Sequence, residues 1–137
     1  MKTLLVVAAA LINDKGEILL AQRPKGKTLE DHWEFPGGKL EDGEQPEQAL
    51  ARELHEELGI EVAVEHMRPI TFLSHPYPEY DFHLMMPTWL IDTWKGEPTK
   101  QPGEHQAIKW VHPNDMDDML ILKADWPLVE RLKEIVA

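Results

Sequence analysis

The chain has 137 residues, 42% of them hydrophobic and 28% charged, a globular composition that suits one domain, 1–137, burying roughly two-thirds of its unfolded surface. No stretch reaches the roughly 20 apolar residues of a membrane span, so no membrane partner is expected. The absence of cysteine excludes disulfides and thiolate metal sites and fits a reducing cytoplasm. A net charge of −11 argues against a nucleic-acid polymer as partner, since such binding runs on lysine and arginine. A free nucleotide that arrives with metal and meets local positive charge remains open.

In chain order, the apolar run Leu4–Ile12 reads as a strand buried on both faces. Asn13-Asp14-Lys15-Gly16 is a turn and Glu17–Arg23 a second strand, so the pair reads as a hairpin. Pro24–Glu30 is a polar loop, and Trp33-Glu34-Phe35-Pro36-Gly37-Gly38 is a short strand whose paired glycines let backbone approach a phosphate or metal. Pro46 suits a first helical turn and Gly59 the residue past a helix end, which predicts a helix over Pro46–Leu58 with Leu50, Leu54 and Leu58 as its buried stripe. Glu61–Leu73 and Phe82–Trp94 read as strands, with a loop carrying two prolines over Ser74–Asp81. Lys95–Pro98 is a turn, Gln106–Val111 a strand, Pro113–Met119 an acidic one-turn element, and Asp125 an N-cap for a last helix over Trp126–Val136. That order places strands, helix, strands and helix around one sheet.

The helix over Pro46–Leu58 carries the chemistry. Glu53, Glu56 and Glu57 fall at i, i+3 and i+4, about a quarter turn from the leucines. Carboxylates at these spacings repel one another and oppose the helix dipole. Arg52 reaches Glu56 one turn on, but one arginine does not neutralise three acids; a hard divalent cation, which takes carboxylate oxygens, does. The ordinary alternative is a solvated acidic face. The seven histidines show no pair at metal-ligand spacing, so zinc is not expected.

The full spacing runs Gly38, five residues, Glu44, seven residues, then Arg52-Glu53-Leu54-His55-Glu56-Glu57-Leu58-Gly59-Ile60. It resembles the Nudix box, GX5EX7REUXEEXGU with U aliphatic, at every fixed position. The resemblance implies an α/β (α+β) fold, a Nudix α/β/α sandwich with a mixed sheet between the Nudix helix and a C-terminal helix. It also implies hydrolysis of a nucleoside diphosphate linked to another group, with Mg2+ (Mn2+ possible) as cofactor. Within the family, WEFPGGK, Trp94-x-Gly96-Glu97-Pro98 and Glu104-His105-Gln106 followed by Trp110 are similar to the MutT-like segments LEFPGGK, W-x-G-E-P and E-G-Q followed by tryptophan.

By that resemblance Gly38, Glu53, Glu56, Glu57 and Glu104 hold metal, and Glu53 or Glu104 activates water. Arg52 orients the acids, Glu44 supports the loop before the helix, and Arg23, Phe35, Lys39 and Asp125 meet the nucleotide. Lys25 and Lys27 join the candidate rim of positive charge. Gln45 stands where relatives often have a capping threonine, a cap weaker by about 1 kcal/mol. The implied reaction is NTP plus water giving NMP plus pyrophosphate. An oxidised guanine nucleotide, 8-oxo-dGTP, is the first choice of substrate and CTP or dCTP the second. Pro76 and Tyr77 keep ADP-ribose and dinucleoside polyphosphates as rivals, and a silent nucleotide-binding module or a regulatory one is the non-enzymatic alternative. The protein is expected to be a cytoplasmic monomer or homodimer. Ala124-Asp125-Trp126-Pro127 stands where MutT-like proteins have A-N-E-P, with the asparagine on the base. An ionised Asp125 would only accept hydrogen bonds and favour bases offering donors.

Overall fold

A computed structural model describes residues 1–136. Strands β1 (Lys2–Leu11), β4 (Gly37–Lys39), β5 (Arg68–Tyr77) and β6 (Phe82–Ile91) form a mixed sheet in the order β4-β1-β6-β5, with β1 and β6 parallel. Strands β2 (Ile18–Gln22), β3 (Trp33–Glu34) and β7 (Ala107–Val111) form a second, antiparallel sheet in the order β3-β2-β7. Helices α1 (Pro46–Leu58) and α2 (Trp126–Ile135) lie on opposite sides of this double layer.

The unbroken apolar run of β1 reflects burial on both faces. Val7, Ala9 and Leu11 pack with Leu50, Leu54 and Leu58 of α1, while Ala8 and Ala10 face a core that includes Leu128 and Leu132 of α2. The three leucines of α1 are completely buried, each adding roughly 1.5–3 kcal/mol by leaving water. Gly59 ends α1 in the left-handed region, at φ 72°. At the other end Gln48 Oε1 accepts from the Gln45 backbone N–H at 3.1 Å, which retains part of the capping exchange that threonine would give.

Four expectations change. β1 and β2 meet only at the turn, where Ile12 pairs with Ile18, and then diverge into separate sheets, so they are not a hairpin and the strands do not share one sheet. The strand expected at Trp33–Gly38 is split, one half in each sheet. The stretch before β5 contains a single 3-10 turn, Val64–His66, and β5 itself continues through Pro76. β5 pairs only with β6, and on an edge strand Pro69 and Pro76 forfeit no inner ladder bond. Asp125 precedes α2 but its side chain makes no capping hydrogen bond. Ile135 is 40% exposed, so the apolar stripe of α2 ends at Leu132.

Candidate functional site

Beside α1, one guanidinium organises the acids. Arg52 donates from Nε and Nη2 to the two oxygens of Glu44, at 2.8 and 3.0 Å, the bidentate geometry that suits arginine. Its Nη1 reaches Glu53 Oε1 at 3.1 Å and Glu56 Oε2 at 3.3 Å, and Nη2 also donates to the Lys39 carbonyl at 3.0 Å. Glu44 Oε1 accepts from the Glu41 N–H at 2.8 Å, which ties the loop before α1 to the helix. The Arg52 hydrogen bond, then that backbone N–H, hold the Glu44 carboxyl below its usual range.

Two acids of α1 lie deeper. Burial pushes the Glu53 carboxyl up. Glu57 is 4% exposed; burial, then contact with the Glu53 carboxyl and the charges of Glu34 and Glu104, push it up to about 10. Its Oε2 has no hydrogen-bond partner. A Cβ added to Gly38 would meet the Glu53 carboxyl group, which would have to shift, so glycine lets the β4 backbone and this acid stand in close approach.

On the far side of β4 a cavity of about 510 Å3 opens between the two sheets. Leu4, Phe35 and Leu84 contribute apolar wall, Arg23 and Gly38 stand on its lining, and Asp125 is part of it. Arg23 is held by the Thr28 carbonyl at 2.7 Å and by Glu34 Oε1 at 3.3 Å. Asp125 is 1% exposed. Burial, then the charge of Glu34, raise its carboxyl well above the usual range, and Oδ1 has no partner.

A known family model, the NUDIX domain, matches residues 2–132. The chain belongs to the Nudix family. The Nudix 8-oxo-dGTP diphosphatase of Escherichia coli K12 is 34% identical over 98% of this chain and 100% of its own length. A CTP pyrophosphohydrolase of the same organism is 40% identical over 90% of this chain and 87% of its own. A crystal structure of a MutT Nudix hydrolase from Burkholderia pseudomallei superimposes with a TM-score of 0.85 at 29% identity, covering 96% of this chain and 98% of that one.

The Nudix fold gathers Gly38, Arg52, Glu53, Glu56 and Glu57 along one side of β4 and α1. Glu104 is exposed on the loop before β7 and adds its charge to the cluster that raises Glu57. Nudix hydrolases as a class use divalent cations, and the residues present fit one: oxygen donors, a partnerless buried Oε2 on Glu57, and a side-chain-free approach at Gly38. The acids are not a preformed cage. Among the described residues, no three His, Cys, Asp or Glu side chains converge as metal ligands, and Arg52 engages Glu53 and Glu56.

The substrate candidates Arg23, Phe35, Lys39 and Asp125 all line the cavity. Lys25 is engaged by Asp31 at 2.6 Å. Asp125 corrects the sequence reading in one respect, since its side chain makes no capping hydrogen bond to α2; burial, then the charge of Glu34, raise its carboxyl and so work against the ionised form assumed from sequence. Two residues were missed. Glu34 bridges Arg23 and His105, and His105 Nε2 lies 3.2 Å from Glu34 Oε2 and 3.5 Å from Glu57 Oε1. Their signal was present in WEFPGGK and in Glu104-His105-Gln106, but nothing in sequence distance says that 71 residues close to one hydrogen bond. Among the described residues no helix is long and apolar enough to cross a membrane.

Proposed function

We propose that the protein hydrolyses a (deoxy)nucleoside triphosphate to the monophosphate and pyrophosphate, with 8-oxo-dGTP as its preferred substrate. The observation that carries this reading is the cavity, apolar along its walls, with a buried carboxyl in its lining that has one unpartnered oxygen, and an opening toward Arg23 and Gly38. A base fits between Phe35 and the apolar wall. The phosphates then leave past Arg23 and Lys39 toward the acids of α1.

A protonated Asp125 offers one O–H donor and one carbonyl acceptor, as an asparagine amide does. Oxidised guanine presents the O6 acceptor beside an N7–H donor, which satisfies both. Unmodified guanine presents two acceptors there, O6 and N7, and leaves the Asp125 carbonyl facing a lone pair. The mismatch is worth about 1–3 kcal/mol, roughly 10- to 100-fold in relative kcat/KM. Cytosine, with N3 as acceptor and N4–H2 as donor, also satisfies a protonated Asp125, and the 40% identity to a CTP pyrophosphohydrolase supports it as the second reading.

Gly38, Glu53, Glu56, Glu57 and Glu104 would hold Mg2+ or Mn2+, which supplies charge neutralisation for the phosphates and acidifies water. Arg52 keeps Glu53 and Glu56 oriented while Glu44 keeps Arg52 in place. Of the two candidate bases, Glu53 is favoured over Glu104. Burial raises its carboxyl, and it stands against Gly38, where the reacting phosphate must pass. The test is a panel of 8-oxo-dGTP, dGTP, CTP, dCTP, ADP-ribose and diadenosine polyphosphates with product analysis. Release of pyrophosphate and monophosphate from 8-oxo-dGTP at the highest kcat/KM is expected. Orthophosphate as product, or preference for ADP-ribose, would refute the substrate reading, and no turnover at all would favour a binding module.

A further inference from the structure

His105 occupies a position where the MutT-like pattern quoted above has glycine, so its imidazole is no part of that pattern. The ring is nonetheless buried, with 6% of its side chain exposed. Nε2 faces two carboxylates, Glu34 Oε2 at 3.2 Å and Glu57 Oε1 at 3.5 Å, while Nδ1 has no partner. The hydrogen bond to the Glu34 carboxylate oxygen calls for that nitrogen to carry the hydrogen. Burying the other nitrogen without a partner costs stability, so packing alone does not explain the ring. The loop does not need it either: Gln106 already fastens the segment through its backbone N–H to the Gln22 carbonyl at 3.0 Å and its side chain to the Arg23 carbonyl at 2.9 Å.

What the ring does follows from which oxygens it touches. Glu34 gives Oε1 to Arg23 and Oε2 to His105. His105 in turn approaches Oε1 of Glu57, and the atom left free is the partnerless Oε2. We propose that His105 is a positioning residue that fixes the rotation of the Glu57 carboxylate, so that Oε2 is presented to a divalent cation, and that links this site through Glu34 to the nucleotide-holding Arg23. The inference rests on the reading of Glu57 as a metal ligand. Partners that orient a ligand from behind typically govern metal affinity by roughly 10- to 100-fold.

The test is a titration of the full-length protein with Mn2+ alone, followed through the free Mn2+ signal in electron paramagnetic resonance, for wild type, His105→Leu, His105→Gln and Glu57→Gln. His105→Leu should bind Mn2+ roughly 10-fold more weakly or worse, and His105→Gln, whose amide can donate to both carboxylates, should recover most of the loss. If His105→Leu does not fold, His105→Asn, with an amide too short to span both oxygens, should show the same loss. Wild-type Mn2+ affinity in folded His105→Leu or His105→Asn, alongside a loss in Glu57→Gln, overturns the positioning role. Wild-type affinity in Glu57→Gln overturns the ligand assignment itself and the inference with it.

Discussion

Glu57 and Asp125 are both buried carboxyls of one site, both raised above their usual range and both with one oxygen unpartnered. Their surroundings differ. Glu57 lies among acids, with Glu53 in contact and Glu34 and Glu104 adding negative charge, so burial and like charge both favour its protonated form. Asp125 lines a cavity with Phe35, Leu4 and Leu84, where burial raises its carboxyl; if neutral, it is both donor and acceptor. Under the proposed function the same desolvation would serve two ends: beside other acids it would favour a metal site, and within apolar walls a reader of base edges.

The sharpest way to break this contrast is to remove the cation and its ligand. Hydrolysis should stop in EDTA and return with Mg2+ or Mn2+. Glu57→Gln and Glu53→Gln should each lower kcat by about 10²- to 10⁴-fold with folding intact by circular dichroism. Near-normal rates in both variants would end the catalytic reading. A smaller effect is expected at the other carboxyl: Asp125→Leu, which keeps the branched outline in a larger side chain but neither donor nor acceptor, should cut the preference for 8-oxo-dGTP over dGTP by roughly 10- to 100-fold while leaving metal affinity unchanged. Loss of Mn2+ binding in Asp125→Leu would mean that the two carboxyls are not separate in function.

Protonation distinguishes them further. Glu57 has a folded value of about 10 against 4.5 unfolded, so between those values the folded protein binds more protons than the unfolded chain, and metal-free stability must fall as pH rises through that window. Glu53 and Asp125, also raised, act with the same sign, while Glu44, held low, acts only at more acid pH. Melting temperatures measured in EDTA should decline across the window, and Glu57→Gln should flatten much of the slope. Added Mg2+ should restore stability most at high pH, where no proton has to be displaced. A flat profile for the metal-free wild type would place Glu57 among ordinary surface acids.

The two carboxyls were unequally legible in the sequence. α1 could be read to the residue, because Pro46, Gly59 and the leucine stripe are local signals, and Glu57 came with it. The two-sheet division was not legible: the turn at Asn13–Gly16 looks the same whether the strands beyond it stay paired or part. Asp125 sat where a helix begins, and aspartate is so good a cap that sequence alone favours that role. Only tertiary burial, set by Phe35 and the strands around it, shows that the carboxyl faces the cavity and that its charged form is disfavoured. Glu34 and His105 were hidden for the same reason, since each gains meaning from a partner far along the chain.

The smallest effect is the most discriminating for Asp125. An ionised aspartate and an asparagine would favour different base edges, and exchanging them would reorder the substrates. A protonated aspartate and an asparagine both present one donor and one acceptor of similar size, so Asp125→Asn should change the ratio of kcat/KM for 8-oxo-dGTP over dGTP by less than about threefold, under 1 kcal/mol. The difference should appear at high pH instead. As Asp125 ionises, the wild type loses the O–H that meets O6 and its discrimination should decline, whereas the asparagine variant has nothing to lose there and should hold its ratio. Measuring both proteins across pH with the two nucleotides separates base reading from the titration of the metal site, which acts on both substrates alike. Parallel pH profiles, or a reordering of substrates by Asp125→Asn at neutral pH, would show that Asp125 is not a neutral reader of the base.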